Sequence, residues 1–189
     1  MTATEPIRDK KQLRELAGYW LNKGNLRNYV LIVLGVCTAL RISDLLRLTW
    51  DDVYDREHSK FRSHITITER KTGKVKVIAL NSQAIKALQM YLLNRQGAFI
   101  FQTNRKADKP ISRIQAWRII KQAADAIKIA GCIACHSLRK TFGYFAWKSG
   151  VLPVMLMDIY NHSSFEITRR YLGISQDDRD NVYLKLALF

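Results

Sequence analysis

A chain of 189 residues is long enough for one ordinary domain with a core of its own, and no Pro-, Gly- or Ser-rich stretch marks an internal linker. Its 31 Lys and Arg against 16 Asp and Glu give a formal charge of +15, while 48% of the residues are hydrophobic. That balance describes a folded basic protein whose partner is a polyanion, nucleic acid first among them, with a merely solvated basic surface as the alternative. The longest apolar run, Tyr29 to Leu40, contains Gly35 and Thr38 and is too short to span a bilayer. Charge near Met1 to Lys11 with no apolar stretch behind it argues against a signal peptide, so a cytoplasmic protein with no membrane partner is expected. The three cysteines, Cys37, Cys132 and Cys135, are an odd count without a secretion signal, which argues against a disulfide framework.

In chain order, Asp9 can cap a helix carrying Leu13, Leu16, Tyr19 and Trp20, which Gly24 stops. A nearly all-apolar helix from Arg27 to Thr38 has no polar face and belongs in the core. Arg41 falls in the connection before Ser43, which can cap a helix carrying Leu45, Leu46 and Leu48. From Ile65 to Leu80 the period changes to two around Lys71-Thr72-Gly73-Lys74, a β-hairpin with lysines at its tip. Ser82 opens a helix to Asn94, Phe99 to Phe101 adds a short strand, and Ser112 caps a helix through Trp117, Ile120 and Ile127. Helices near Ser137–Ser149, Val154–Tyr160, Ser164–Leu172 and Asp177–Leu188 complete a mainly α chain with one small antiparallel sheet, an α+β fold, without repeats.

Cys132-Ile-Ala-Cys135-His136 matches the pattern for covalent haem attachment. The missing export signal, the positive charge and the helical spacing of His136 with Arg139 speak against haem. A structural zinc needs four ligands, and the remaining cysteine, Cys37, lies in an apolar helix. Both cysteines read as small packing residues, with no metal and no cofactor expected.

His136 and Arg139 stand three apart, on one face of a helix; His162 follows, and Tyr171 lies nine residues further. Ser163-Ser164-Phe165-Glu166 resembles a capping box, which sets His162 at a helix start and Tyr171 about two turns along. Breaking a phosphodiester with a protein nucleophile requires a clamped phosphate, neutralised charge, an in-line attacking group and a protonated leaving oxygen. Arg41 and Arg139 offer forked donors that stay charged at any working pH. A tyrosine, ordinarily of pKa about 10, needs the cationic surround that these arginines and histidines supply. Taken singly, each of these residues is more commonly a cap, a surface charge or packing; their joint order is what carries the reading.

The stretches Thr38-Ala-Leu-Arg-Ile-Ser-Asp-Leu-Leu46, His136-Ser-Leu-Arg-Lys-Thr141, and Asn161-His-Ser-Ser with Arg170-Tyr-Leu172 resemble the catalytic boxes of the tyrosine recombinases, the lambda-type phage integrase family. The match runs from about Pro6 to Leu188. It implies the DNA breaking-rejoining catalytic-domain fold and a site-specific recombinase or integrase. Such an enzyme acts on double-stranded DNA through a 3′-phosphotyrosyl intermediate, without metal or cofactor. In that resemblance Arg41 and Arg139 clamp the phosphate, His136 donates to it and assists proton transfer, and His162 hydrogen-bonds it. Tyr171 is the nucleophile, Lys71, a better match than Lys74, protonates the leaving oxygen, and Asp44 is a supporting acid. Ala79 and Tyr160 stand where proline and glycine are common.

The family also implies a homo-tetramer on DNA, with accessory DNA-bending proteins, in a bacterial or phage setting. Only about eight residues precede the first helix, so residues 1–189 are expected to be a single catalytic domain without a separate N-terminal core-binding domain, either excised from a longer protein or naturally short. The apolar end, residues 182–189, is expected to dock either on a neighbouring subunit or on its own core. The alternatives to strand exchange are a type IB topoisomerase-like nicking-closing enzyme and a non-catalytic DNA-binding accessory protein.

Overall fold

The Asp9 carboxylate accepts the amides of Lys11 and Gln12 and opens α1 (Lys10–Asn22), whose Leu16, Ala17 and Trp20 turn inward. The computed structural model describes residues 4–95, 97–103, 109–172, 174, 180 and 183–185. Asn25 caps α2 (Leu26–Cys37), the apolar helix, which lies at the centre against α1, α5 (Ser82–Leu92) and α7 (Cys135–Lys148). Asn81 rather than Ser82 caps α5, its side chain taking the amide of Ala84.

After α2 the chain reverses through Ala39, a buried residue in the left-handed region with φ 53°. That early reversal brings the chain back into helix two residues sooner than a Ser43 cap would. Arg41 holds the N-cap position of α3 (Ile42–Leu45), and Ser43 lies inside the turn. A capping box between Thr49 and Asp52 opens α4 (Trp50–Val53), a one-turn helix whose Thr-x-x-Asp signal is legible in the chain but was not anticipated.

The expected hairpin is β3 (His64–Thr68) paired antiparallel with β4 (Val75–Ala79), register His64↔Ala79 to Thr68↔Val75. Ile65 and Ile67 face the core, and continuing the alternation points Glu69 inward too, where it is fully buried. Gly73, with φ +68°, closes the tip, its amide donating to Glu69 O at 2.8 Å. A second two-stranded piece, β1 (Tyr54–Asp55) with β2 (Lys60–Phe61), was not foreseen and shares no ladder with the first. Two residues per strand are too few for a period-two signal to register. Phe99 to Phe101 form no strand; an isolated bridge joins Phe99 to Thr49, and Ile100 and Phe101 go into the core.

Ser112 caps α6 (Arg113–Ala126) as expected, and α7 begins at Cys135, two residues before the expected start. Pro153 starts α8 (Pro153–Tyr160), and α9 (Phe165–Leu172) carries Tyr171 in its last turn. Of the helix expected from Asp177 to Leu188, only Asp180 and Tyr183–Lys185 are among the described residues. No helix among the described residues is long and apolar enough to cross a membrane.

Two apolar clusters divide the interior. The larger gathers α1, α2, α5 and α6 with the buried Leu138 of α7; the smaller holds Ala39, Leu156, Tyr160 and Leu172 against Phe142 and Tyr171. Helix α7 touches both, so Arg139 stands at the seam between them. Gly143 permits the smaller cluster to close, because a Cβ there would overlap the Tyr160 hydroxyl and come within 3.0 Å of its ring carbons. Gly143→Ala should therefore destabilise the protein by about 1–3 kcal/mol through overpacking, measured by urea denaturation. In a Tyr160→Phe background, which lacks the hydroxyl, the same change should cost less, and an equal cost would mean that the conflict lies elsewhere.

Candidate active site

The carbonyl end of α8 organises the site. Asn161 N donates to Asp158 O at 2.9 Å and His162 N to Met157 O at 3.0 Å, a Schellman closure that requires a left-handed residue, here Asn161 at φ 57°. The left-handed position that suits glycine is thus Asn161, one residue after Tyr160, where the family resemblance set the common glycine. This closure leaves Tyr160 O and Ile159 O at the negative end of the helix dipole.

Three cations meet there. Arg139 Nη2 donates to Tyr160 O at 2.9 Å while its Nη1 donates to Ala39 O; Arg41 Nη2 reaches the same Tyr160 O at 3.5 Å; Lys76 Nζ donates to Ile159 O. Arg139 is 1% exposed, and burial followed by the charge of Arg41 lowers its pKa. Burial, then Arg139, brings the Lys76 ammonium down to about 8. Lys76 is a member of the site that the motif reading missed, because within a strand it looks like one more alternating lysine.

The counter-charge is Glu69, also missed. Its Oε2 lies 2.7 Å from Arg41 Nη1 and accepts Thr72 Oγ1 at 2.8 Å and Asn161 Nδ2 at 3.1 Å. Burial alone would raise this carboxyl, but Arg41, Thr72 and Asn161 outweigh it and hold the group at about 2. Strand alternation through Ile65 and Ile67 was the signal that could have found it. Three cations against Glu69, and Asp158 which bears on Lys76, leave the cluster net positive.

Tyr160 supplies the floor. Its hydroxyl donates to Arg139 O at 2.8 Å, the Arg139 guanidinium lies 4.6 Å from its ring centroid, and His162 stacks on it at 5.2 Å. Burial raises the Tyr160 phenol far above its ordinary range, so this second tyrosine stays protonated. Tyr171 sits 5.2 Å from Tyr160, 4.6 Å from His162 and 6.4 Å from His136, centroid to centroid, with Arg139 and Lys140 at 6.0 and 5.6 Å from its ring. His162 Nδ1 is 3.0 Å from the buried Thr168 Oγ1 one turn before Tyr171, which ties the loop to α9. Burial, then Arg139 and Arg41, push His162 down to about 4; loss of water around part of its ring, then Arg139, also lowers His136. Both imidazoles are accordingly neutral at pH 7.

The structure brings Arg41, His136, Arg139, His162 and Tyr171 into one cluster. Lys71, on the exposed hairpin tip, makes no hydrogen bond or ion pair among the described residues, yet its charge reaches His162. Lys74 donates to Asn161 Oδ1 at 3.1 Å. Asp44 Oδ1 accepts the amide of Arg70 at 3.1 Å and braces the hairpin. Cys135 and His136 line an open cavity of about 630 Å³ with Arg113 and Trp117. All three cysteines are free, and burial pushes the Cys135 thiol up to about 11, so it is protonated at neutral pH. Among the described residues, no three of His, Cys, Asp or Glu are placed to hold a metal ion.

These shifts set the acid response. His162 protonates below 6.5 when unfolded and about 4 when folded, so its contribution is complete above 6.5 and is lost as pH falls toward 4. Glu69 falls from 4.5 to about 2 on folding, so its contribution is complete above 4.5 and is lost toward pH 2. Stability measured by denaturation against pH should decline across both windows. His162→Gln should flatten the upper window and Glu69→Gln the lower; an unchanged profile in either variant would contradict the shift assigned to that group.

Residues 8–177 match the phage integrase family. The chain is 38% identical over 184 residues to the probable integrase/recombinase YoeC of Bacillus subtilis (strain 168), covering 97% of each chain. Against tyrosine recombinases XerD and XerC from several bacteria it spans about half of the relative's length. Its fold superposes on the crystal structure of XerA recombinase with a TM-score of 0.77 at 21% identity, over 97% of this chain and 66% of that one. It superposes on XerH site-specific recombinase bound to a palindromic difH substrate, in a post-cleavage complex, with a TM-score of 0.76 at 16% identity, over 94% and 51%. A helical frame with small antiparallel hairpins, two arginines and two histidines around a tyrosine, and a match over 8–177 give one conclusion: the chain belongs to the phage integrase family of tyrosine recombinases.

Proposed function

We propose that this chain breaks and rejoins double-stranded DNA at a specific site, with Tyr171 as the nucleophile, in the cytoplasm of a bacterium or in a phage-derived setting. The observation that carries the reading is the net positive cluster of Arg41, Arg139 and Lys76 beside Tyr171, with Glu69 paired to Arg41. A phosphate is the anion that completes it. The shared fold with XerH site-specific recombinase, solved bound to a palindromic difH substrate, supports the choice of DNA.

In the proposed step, Tyr171 Oη attacks phosphorus and its proton passes to neutral His136. The phosphorus–O5′ bond breaks, and Lys71, free of protein partners among the described residues, delivers a proton to the departing oxygen. Products are a 3′-phosphotyrosyl bond and a 5′-hydroxyl. Attack by another 5′-hydroxyl reverses the step, so the bond energy is conserved and no nucleotide is consumed. Arg41, Arg139 and His162 bear on the nonbridging oxygens, His162 as a neutral hydrogen-bonding group whose Nδ1 is occupied by Thr168. Asp44 acts through the Arg70 amide, holding the hairpin that carries Lys71.

Tyr171→Phe should abolish the covalent adduct on a nicked suicide substrate and leave DNA affinity nearly unchanged, since only the attacking oxygen is lost. An adduct persisting in that variant would remove Tyr171 from the role. Arg41→Ala should slow cleavage on the order of a hundredfold, as expected for one preorganised transition-state donor. Relaxation of a supercoiled plasmid without exchange between paired sites would replace recombination with nicking and closing.

The chain is further proposed to act as a tetramer on DNA, with the 182–189 segment docking on a neighbour. Tyr183 and Leu184, 80% and 82% exposed, support an intermolecular partner for this segment. Truncation at Val182 should leave a folded monomer that binds one site with salt-sensitive affinity and fails to pair two sites. Unfolding of the shortened chain would show that the tail packs on its own core.

A further inference from the structure

We propose that Glu69 is a positioning residue that locks the phosphate-clamping Arg41 and the Lys71-bearing hairpin tip into a single arrangement. The proposal rests on the roles given above to Arg41 and Lys71. Its basis is geometric: one fully buried carboxylate oxygen takes donors from three separate parts of the fold. Arg41 comes from the start of α3, Thr72 from the hairpin tip, and Asn161 from the closure of α8.

Asn161 is fixed by the closure of α8, whereas Arg41 and the hairpin tip have little else to hold them. Apart from Glu69, Arg41 has the long 3.5 Å contact to Tyr160 O. Residues 70 to 75 of the hairpin are all exposed, so the tip is attached to the body through Glu69, through the Arg70 amide on Asp44, and through Lys74 on Asn161. Backbone bonds between Glu69 and the far side of the turn, Glu69 N to Lys74 O at 2.9 Å and Gly73 N to Glu69 O at 2.8 Å, make tip and carboxylate move as one body. Shifting Glu69 therefore shifts the lysine and the arginine together.

A carboxylate beside a phosphate clamp also opposes the substrate's charge. A group kept there for orientation rather than attraction has a distinctive signature: its removal weakens the chemistry without weakening binding. Glu69→Gln keeps the shape and the acceptor for Thr72 while releasing the charge of Arg41.

In single-turnover cleavage of a nicked suicide substrate, well below the melting temperature, Glu69→Gln should be slower by about tenfold or more, with DNA affinity equal or tighter. Adding Glu69→Gln to Arg41→Ala should slow that variant no further, since the two act through one interaction. Glu69→Ala, which also frees the tip, should regain part of its lost rate on a substrate whose 5′ bridging oxygen is sulfur, a leaving group that hardly needs a proton. Lys71→Ala is run beside it: if that variant is not restored by sulfur, the general-acid role of Lys71 fails, while Glu69 is still judged by its coupling to Arg41. Wild-type cleavage by Glu69→Gln, weaker DNA binding in step with slower cleavage, or independent losses with Arg41→Ala would each overturn the proposal. Should the Glu69 variants not fold, Thr72→Val carries the test, with slower cleavage on oxygen that sulfur restores; normal cleavage on oxygen by that variant counts against the proposal.

Discussion

Two guanidinium groups and an ammonium repel one another, and in water nothing would hold them together without an anion. Here the carbonyl end of α8 does so in advance, with Tyr160 O shared by Arg139 and Arg41 and Ile159 O taken by Lys76. Glu69 completes the assembly by pairing with Arg41 and accepting from Asn161. The rest of the site follows from this constraint. The closure at Asn161 exposes the carbonyls, the left-handed turn at Ala39 supplies another acceptor for Arg139, and Gly143 admits the tyrosine ring on which the guanidinium lies. Preorganised charge of this kind needs no rearrangement when a phosphate arrives, which is where electrostatic catalysis gains most.

The same cations determine how the neutral groups behave. Both histidines stay unprotonated near pH 7 because partial desolvation and adjacent arginines disfavour a further positive charge. A neutral imidazole can accept a proton or share one in a hydrogen bond, whereas an imidazolium could only add to the field. Two tyrosines lie within reach of Arg139, and burial distinguishes them: Tyr160 is fully buried with its hydroxyl committed to Arg139 O, while Tyr171 is only partly buried in the last turn of α9. The two phenols are thus distinguished by environment rather than by residue type.

The location at the seam of two apolar clusters matters mechanically. Helix α7 packs through Leu138 into the larger cluster and through Phe142 into the smaller, so Arg139 is held by rigid elements on both sides. Helix α9 joins only the smaller cluster, through Leu172 and Tyr171. Tyr171 therefore rides on the less anchored part of the fold and Arg139 on the more anchored part.

Arg41, His136, Arg139, His162 and Tyr171 were legible because each belongs to a local box whose order along the chain is specific, and helical spacing set His136 beside Arg139. The β3–β4 hairpin, the Asp9 and Ser112 caps and the apolar α2 were legible too, since period and capping are local properties. The two-residue strands, the Asn81 cap and the early start of α3 were not, being settled by short-range competition among neighbouring caps and turns. Glu69 and Lys76 looked like ordinary strand charges, and Tyr160 like packing. What they do depends on residues 28, 83 and 21 positions away, in the contacts Glu69–Arg41, Lys76–Ile159 and Tyr160–Arg139. The sequence by itself determined which residue types carry the chemistry; only the tertiary structure decided which charges balance them, because a counter-ion is defined by distance in space and leaves no period along the chain.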